Sequence, residues 1–261
     1  MVRNDLPVPL YVQIEEELRL MIDSGDLRPL SKVESESTLA TRLGVSRMTA
    51  RKAVDRLVAE GLMFRRQGKG TFVAHPKIAH GPSQLLSFSS SMNAQSIRHT
   101  TRVLAAGLVP APSRVVRYLR LAVGTPVIVV RRLRLVDDEP AAIHMSWVLN
   151  RYSVILQGDL TGSLTDLMKS AGGSVAYTND GIEATVAAGE IAQLLGVPVG
   201  SALVFISGTA SSSDMEPVRY SEAFYRGDRF RFRVDTTGVR NLGLDHSNLR
   251  LEHKEYASVP E

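Results

Sequence analysis

The chain has no cysteine. That excludes disulfides and thiolate metal sites, and it fits a reducing compartment. No apolar run approaches the roughly 18 residues that suggest a membrane span. No signal peptide precedes the first helical pattern, so a soluble cytoplasmic protein with no membrane contact is expected. A strong charge of one sign is also missing. Lys and Arg number 31 against 27 Asp and Glu, a formal net charge of +4. Any nucleic-acid argument must therefore rest on local clustering of cations. The sequence shows no Ser-His-Asp order with a nucleophile elbow, no phosphate-loop pattern and no metal-ligand cluster, so no enzyme, cofactor or metal is expected. What is present is 261 residues, 44% hydrophobic and 22% charged, enough for two packed domains.

The most informative stretch is residues 46–58. Ala50, Ala53, Val54, Leu57 and Val58 recur at three- and four-residue spacing, which predicts a helix with one buried stripe. Arg47, Arg51 and Lys52 lie off that stripe, and Ser46 suits the N-cap. Just upstream, residues 35–43 form a short helical pattern that Ser35 can cap and Gly44 stops. Helix, glycine-containing turn, helix is the layout of a DNA-reading helix-turn-helix. A further amphipathic helix is predicted over residues 9–24, with Leu10, Ile14, Leu18, Met21 and Ile22 on one face and Gly25 as the stop. After Gly61, residues 62–66 and 71–73 read as two strands joined by the turn Gln67-Gly68-Lys69-Gly70. A hairpin directly after a helix-turn-helix is a wing, and Arg65, Arg66 and Lys69 add cations suited to phosphates.

These residues carry a resemblance. Pro9-Leu10-Tyr11, Gln13-Ile14, Leu39-Ala40, Leu43-Gly44-Val45-Ser46-Arg47, Glu60-Gly61-Leu62 and Arg66-Gln67-Gly68-Lys69-Gly70-Thr71-Phe72-Val73 resemble the GntR family of bacterial transcription regulators, in order and across residues 7–74. The resemblance implies DNA contacts from Arg47, Thr49 and Arg51 on the recognition helix and from Gln67, Gly68 and Lys69 on the wing. Arg47 and Arg51 suit bidentate readout of guanine, and Thr49 suits a phosphate or a thymine methyl. The alternative for Arg51 is a surface ion pair with Asp55. The chain departs from the family at Leu30, where glycine is usual, at Glu34 for proline, at Ser37 for arginine, and at Met48 for a small polar residue.

Residues 76–83 read as an interdomain linker. His75 and His80 are expected to be surface histidines, because no carboxylate or cysteine stands nearby in sequence to complete a metal site. Beyond it the pattern becomes rich in strands. Residues 127–136 and 141–149 form a hairpin across Asp137-Asp138-Glu139-Pro140. Strands are predicted over 181–186, 203–211, 217–225 and 230–234, and helices over 163–170 and 188–195. Antiparallel strands with packed helices make the whole chain α+β. Residues 239–261 lack periodicity and read as a flexible tail.

Leu86-Ser87-Phe88-Ser89 with Met92, Arg132-Leu133-Arg134, Glu139-Pro140, Ser163-Leu164, Leu194-Leu195-Gly196-Val197, Pro217-Val218 and Tyr225-Arg226-Gly227-Asp228-Arg229-Phe230 resemble the UTRA effector domain of the HutC subfamily. The resemblance implies a chorismate lyase-like α/β fold with an antiparallel sheet. The domains are thus a winged helix-turn-helix over 1–75, a linker over 76–83, a UTRA domain over 84–238 and a tail over 239–261. In sugar-phosphate-sensing members the anion is held by a serine-rich loop, two strand arginines and a Ser-Leu-Tyr helix start. Those positions are Ser87, Ser89, Ser90, Arg132, Arg134 and Ser163 here, with Thr165 in place of the tyrosine; Tyr225 joins the set. Arg132 and Arg134, two apart on a strand, share a face. Two guanidiniums there repel unless an anion or carboxylates lie between them, and the alternative is a pair of solvated edge arginines. His144 and Arg219 stand where amino-sugar-phosphate sensors carry glutamates. His and Arg suit anionic acceptors, so a small, strongly anionic effector is expected rather than an N-acetylated amino-sugar phosphate. The alternative for His144 is a plain core or surface histidine, and Trp147 reads as packing or pocket lining. The expected function is a homodimeric repressor of a palindromic operator, with affinity changed by the effector. The rivals are a lyase-like enzyme with a DNA-binding domain and a ligand-independent DNA-binding protein.

Overall fold

A computed structural model describes residues 7–81 and 87–232. The tail expected over 239–261 lies outside the described residues. Three helices open the chain: α1 (Leu10–Asp23), α2 (Glu36–Leu43) and α3 (Arg47–Ala59). α2 and α3 each begin as the sequence dictates. The Ser35 hydroxyl accepts from the Thr38 amide, and the Ser46 hydroxyl accepts from the Thr49 amide. Gly44 ends α2 in the left-handed conformation at φ 66°, which glycine adopts without strain. The apolar stripes of the three helices meet in one core of Ile14, Leu18, Leu39, Ala50, Ala53, Val54 and Leu57. Strands β1 (Met63–Arg66) and β2 (Gly70–Val73) pair antiparallel and add Met63 and Val73 to that core.

Leu30 has φ 64°, in the left-handed region that a Cβ disfavours. Its amide donates to the Val73 carbonyl at 2.9 Å, so the wing holds this conformation in place. The position thus has a backbone reason to be glycine. Leu30→Gly is expected to raise the unfolding free energy by about 0.5–1 kcal/mol, after allowing for the greater entropy of glycine in the unfolded chain. Urea denaturation of the full chain checks this, and a loss of stability would contradict it.

The second domain is a six-stranded antiparallel sheet in the order β4-β5-β6-β9-β8-β7. Its strands are β4 (His99–Pro110), β5 (Pro126–Val136), β6 (Glu139–Leu149), β7 (Tyr177–Val186), β8 (Ala202–Ser211) and β9 (Pro217–Arg226). β5 and β6 turn on Asp137 and Asp138, both at positive φ, as a two-residue hairpin requires. Helices cover both faces. One face packs against α4 (Phe88–Ala94), a 3-10 segment (Asn150–Gln157) and α6 (Leu164–Ser170). The other packs against α5 (Ser113–Leu119) and α7 (Gly189–Leu195). Trp147 lies on this second face, stacked 5.7 Å from Tyr220, and is packing.

Three features differ from the sequence expectations. β4, α5 and the 3-10 segment carry no clear periodicity in sequence, and helix α4 forms where a serine-rich loop is expected, Ser87 capping it and Ser89 and Ser90 lying in its first turn. β4 is an edge strand whose residues are all partly exposed, and Ala105, Ala106 and Gly107 interrupt any apolar alternation. The segment read as a linker contains strand β3 (Ile78–His80), which pairs parallel with β10 (Phe230–Phe232). That pairing joins residues about 150 positions apart, and no local pattern announces it.

Candidate functional site

The candidate nucleic-acid interface consists of α3 and the hairpin. Arg47 and Arg51 are exposed at 72% and 54% of their side-chain surface. Their only ion-pair contacts among the described residues are loose, 3.9 Å to Glu36 and 3.7 Å to Asp55. Asp55 is held more tightly by Arg65, at 2.6 Å, and Arg65 also reaches Glu36 at 2.9 Å. Arg65, expected as a phosphate-neutralising cation, instead ties the hairpin to α2 and α3. The Arg66 guanidinium lies over Phe64 and Phe72 and stays exposed. Gln67, Gly68 and Lys69 form the exposed tip, where Gly68 takes φ 71°. The Thr49 hydroxyl sits 2.8 Å from that of Ser46, within the helix cap. Tyr11, whose ring carries Lys52 Nζ at 3.8 Å, joins this face; the sequence marked it for the family resemblance and not for this position.

The second site is a cavity of about 60 Å³ beneath α4 and α6. Strand register brings its basic residues together. His144 on β6 lies directly opposite Arg132 on β5, and Arg134 is two residues further along the same face. β9 adds Arg219 and Tyr225 on that face through its pairing with β6. All three arginines are buried, and β5 is paired on both sides, so the alternative of solvated edge arginines does not apply. Arg132 Nη1 donates to the Gly162 carbonyl at 2.9 Å, Arg134 Nη1 to Thr101 Oγ1 at 2.6 Å, and Arg219 Nη1 to Thr165 Oγ1 at 3.0 Å. The Arg134 guanidinium also lies over Phe88 at 5.2 Å.

No carboxylate among the described residues forms an ion pair with Arg132 or Arg134. Glu222, buried on β9, faces the opposite side of the sheet and pairs with Arg114 at 3.0 Å. Arg132 Nε, Arg134 Nε and His144 Nε2 are buried with no hydrogen-bond partner among the described residues. The electrostatics follow. Burial, then the neighbouring charges of Arg134 and Arg219, hold Arg132 well below the usual guanidinium range. Burial pushes Arg134 and Arg219 down to about 10. His144 is pushed well below its ordinary value by burial and by Arg134 and Arg132, so its imidazole is neutral at pH 7. Negative charge placed among these guanidiniums would offset their mutual repulsion.

Of the residues expected at an effector site, Ser87, Arg132, Arg134, His144, Arg219 and Tyr225 line this cavity. Ser89, Ser90 and Ser163 line an adjoining groove with Thr100 and Thr101. Ser87 and Ser163 also cap α4 and α6, accepting from the Ser90 and Asp166 amides. His80, expected at the surface, is buried in the cavity wall. Its Nδ1 lies 2.8 Å from Ser91 Oγ and its Nε2 lies 3.3 Å from the Tyr225 hydroxyl. Pairing of β3 with β10 carries it inward. Its isolation in a polar, proline-flanked stretch left no sequence signal for this. Ser146 and Ser221, hydrogen-bonded at 3.0 Å, also line the cavity and gave no sequence signal.

Burial lowers the His80 pKa to about 4, against an ordinary value near 6.5 in the unfolded chain. The folded state therefore binds its proton later than the unfolded state does as pH falls. The stability this group supports is intact above about pH 6.5 and is lost progressively between there and pH 4. His80 alone is expected to lower the unfolding free energy by about 2 kcal/mol between pH 7 and pH 5. His144, shifted the same way, adds to the slope. Urea denaturation across this range checks it, and His80→Gln should show a shallower slope than the unmodified chain.

A winged helix-turn-helix followed by a helix-covered antiparallel sheet around a basic cavity defines the class: a two-domain DNA-binding transcription regulator. Comparison with known proteins agrees. Residues 10–73 match the bacterial regulatory proteins of the gntR family, and residues 94–231 match the UTRA domain. The chain belongs to the GntR family, in its UTRA-containing, HutC-type branch. It is 28% identical over 233 residues to the HTH-type transcriptional repressor NagR of Bacillus subtilis, covering 88% of this chain and 96% of that protein. It is 31% identical over 140 residues to the mannosyl-D-glycerate transport/metabolism system repressor MngR of Escherichia coli, covering 54% and 58%. The crystal structure of PhnF from Mycobacterium smegmatis superposes with a TM-score of 0.61 at 25% identity, over 84% of this chain and 97% of that one. Among the described residues no helix is long and apolar enough to cross a membrane, and no group of three or more His, Asp or Glu could hold a metal.

Proposed function

We propose that this chain is an operator-binding repressor whose grip on DNA is set by a small, strongly anionic metabolite. The observation that carries the reading is the pair Arg132 and Arg134. Both are buried around a partly open cavity and neither has a carboxylate partner among the described residues. An uncompensated buried charge is costly, and an anion supplies the compensation. The cavity has room for a few water molecules' worth of ligand, which suits a phosphate or carboxylate head. The groove lined by Ser89, Ser90 and Ser163 offers hydroxyls to a polar remainder. His144, neutral, donates or accepts as its tautomer allows. Two copies would present two copies of α3 to a palindromic operator. The ligand acts by preferring one arrangement of the two domains, which shifts the population competent for DNA.

Calorimetric titration with inorganic phosphate, phosphorylated sugars, di- and tricarboxylates and neutral sugars tests the anion. Parallel anisotropy titrations on an operator selected from random duplex DNA test the coupling. Anionic compounds are expected to bind and to change operator affinity. Binding of neutral compounds alone would overturn the reading.

A further inference from the structure

We propose that Met48 reads the methyl group of a thymine in the operator, and so sets an A·T preference at one position of the site. The inference rests on the operator-binding reading above. Met48 is the second residue of α3 and is 70% exposed, more than any other large hydrophobic of the described N-terminal domain. At about 100° per residue, it projects about 170° around the helix from the mean direction of the buried residues Ala50, Ala53, Val54 and Leu57. It therefore points straight away from the core, along the outermost line of the helix. Cations stand on either side of that line, Arg51 at 54% side-chain exposure and Lys52 held over the Tyr11 ring, while Asp55, two turns further along it, is paired with Arg65 at 2.6 Å. Tyr11, Thr49, Arg51, Lys52 and Asp55 share a shallow hollow with it.

A helix docked in the major groove brings its N-terminal residues to the base edges. Arginines and lysines on either side fix it to guanines and phosphates. The side chain at the centre of that face then meets base edges at close range. A flexible thioether has no donor and only a weak acceptor to offer a purine edge, and the thymine C5-methyl is the one apolar group the major groove presents. Methyl against methyl removes apolar surface from water on both sides. Cytosine at that position leaves the thioether facing a polar amino group instead.

The test uses the full chain and the operator duplex enriched from random DNA. Each thymine is replaced in turn by deoxyuridine, which removes only the methyl. For the unmodified chain, one thymine per half-site is expected to show an affinity loss of about 3- to 5-fold, the scale of one buried methyl. Met48→Ser is expected to bind the thymine and deoxyuridine duplexes equally at that position. Met48 is exposed, so circular dichroism and the melting temperature of the variant should match the unmodified chain. Indifference of the unmodified chain to every replacement would overturn the proposal. So would an equal loss in Met48→Ser, which would place the methyl contact on another side chain. A random pool that yields no enriched sequence would overturn operator reading itself, and this contact with it.

Discussion

Replacing Arg47 and Arg51 together by alanine is expected to lower operator affinity by roughly two to four orders of magnitude. Each bidentate arginine–guanine contact discriminates by about 1–3 kcal/mol, and the two act on different bases. The structure supports the upper part of that range. Neither guanidinium is committed within the protein, since the contacts to Glu36 and Asp55 are 3.9 and 3.7 Å and both heads are exposed. Little must be broken before they reach DNA. Their loss should also leave stability nearly unchanged, because exposed ion pairs contribute about 0–1 kcal/mol. Arg65 makes the contrast. It bridges Asp55 and Glu36 at 2.6 and 2.9 Å, so Arg65→Ala should loosen the hairpin and weaken binding to every sequence alike. Anisotropy titrations with enriched and scrambled duplexes at two salt concentrations separate the cases. Unchanged affinity in the double variant would refute α3 as the reading helix.

The second large effect concerns the cavity and has a less familiar sign. Arg132→Met is expected to raise the stability of the unliganded chain while abolishing its response to anions. Arg132 is buried, depressed in pKa by burial and by two like charges, and bonded only to the Gly162 carbonyl and, at 3.4 Å, the Leu160 carbonyl among the described residues. Exchanging such a charge for an apolar side chain of similar length stabilises by about 1–4 kcal/mol where packing permits. The two carbonyls lose a donor, which offsets about 1 kcal/mol of this. The unmodified chain should gain stability with added inorganic phosphate, by about 2.7 kcal/mol at 100 times its dissociation constant. The variant should gain none. Thermal melts with and without phosphate decide the matter. If Arg132→Met melted lower and still responded to phosphate, the cavity would not be an anion site.

The two regions differ in how far they could be foreseen. The DNA-reading half was legible because its determinants act over a few residues. Ser35 and Ser46 cap helices through amides three positions away, Gly44 supplies a left-handed turn, and the stripe of Ala50, Ala53, Val54 and Leu57 repeats within one helix. What sequence did not reveal there was partnership. Arg65 reads like Arg66, yet one is tied to two acids and the other lies over a pair of phenylalanine rings.

In the UTRA half, strand period alone placed Arg132 and Arg134 on one face of one strand. Whether that face is wet or dry, and what shares it, depends on partners far away in sequence. His144 meets Arg132 through the β5–β6 register, Arg219 arrives on β9, and His80 is drawn in by a parallel pairing across about 150 residues. A slip of one residue in any of these registers would turn the side chain to the opposite face. The chain by itself determined the three N-terminal helices, α6 and α7, the serine caps of α2, α3 and α6, the β5–β6 turn and the alternation of the inner strands, since each arises from neighbours within a turn or two. Only the tertiary structure decided that three arginines and two histidines would line one cavity, because burial is a property of the assembled layers.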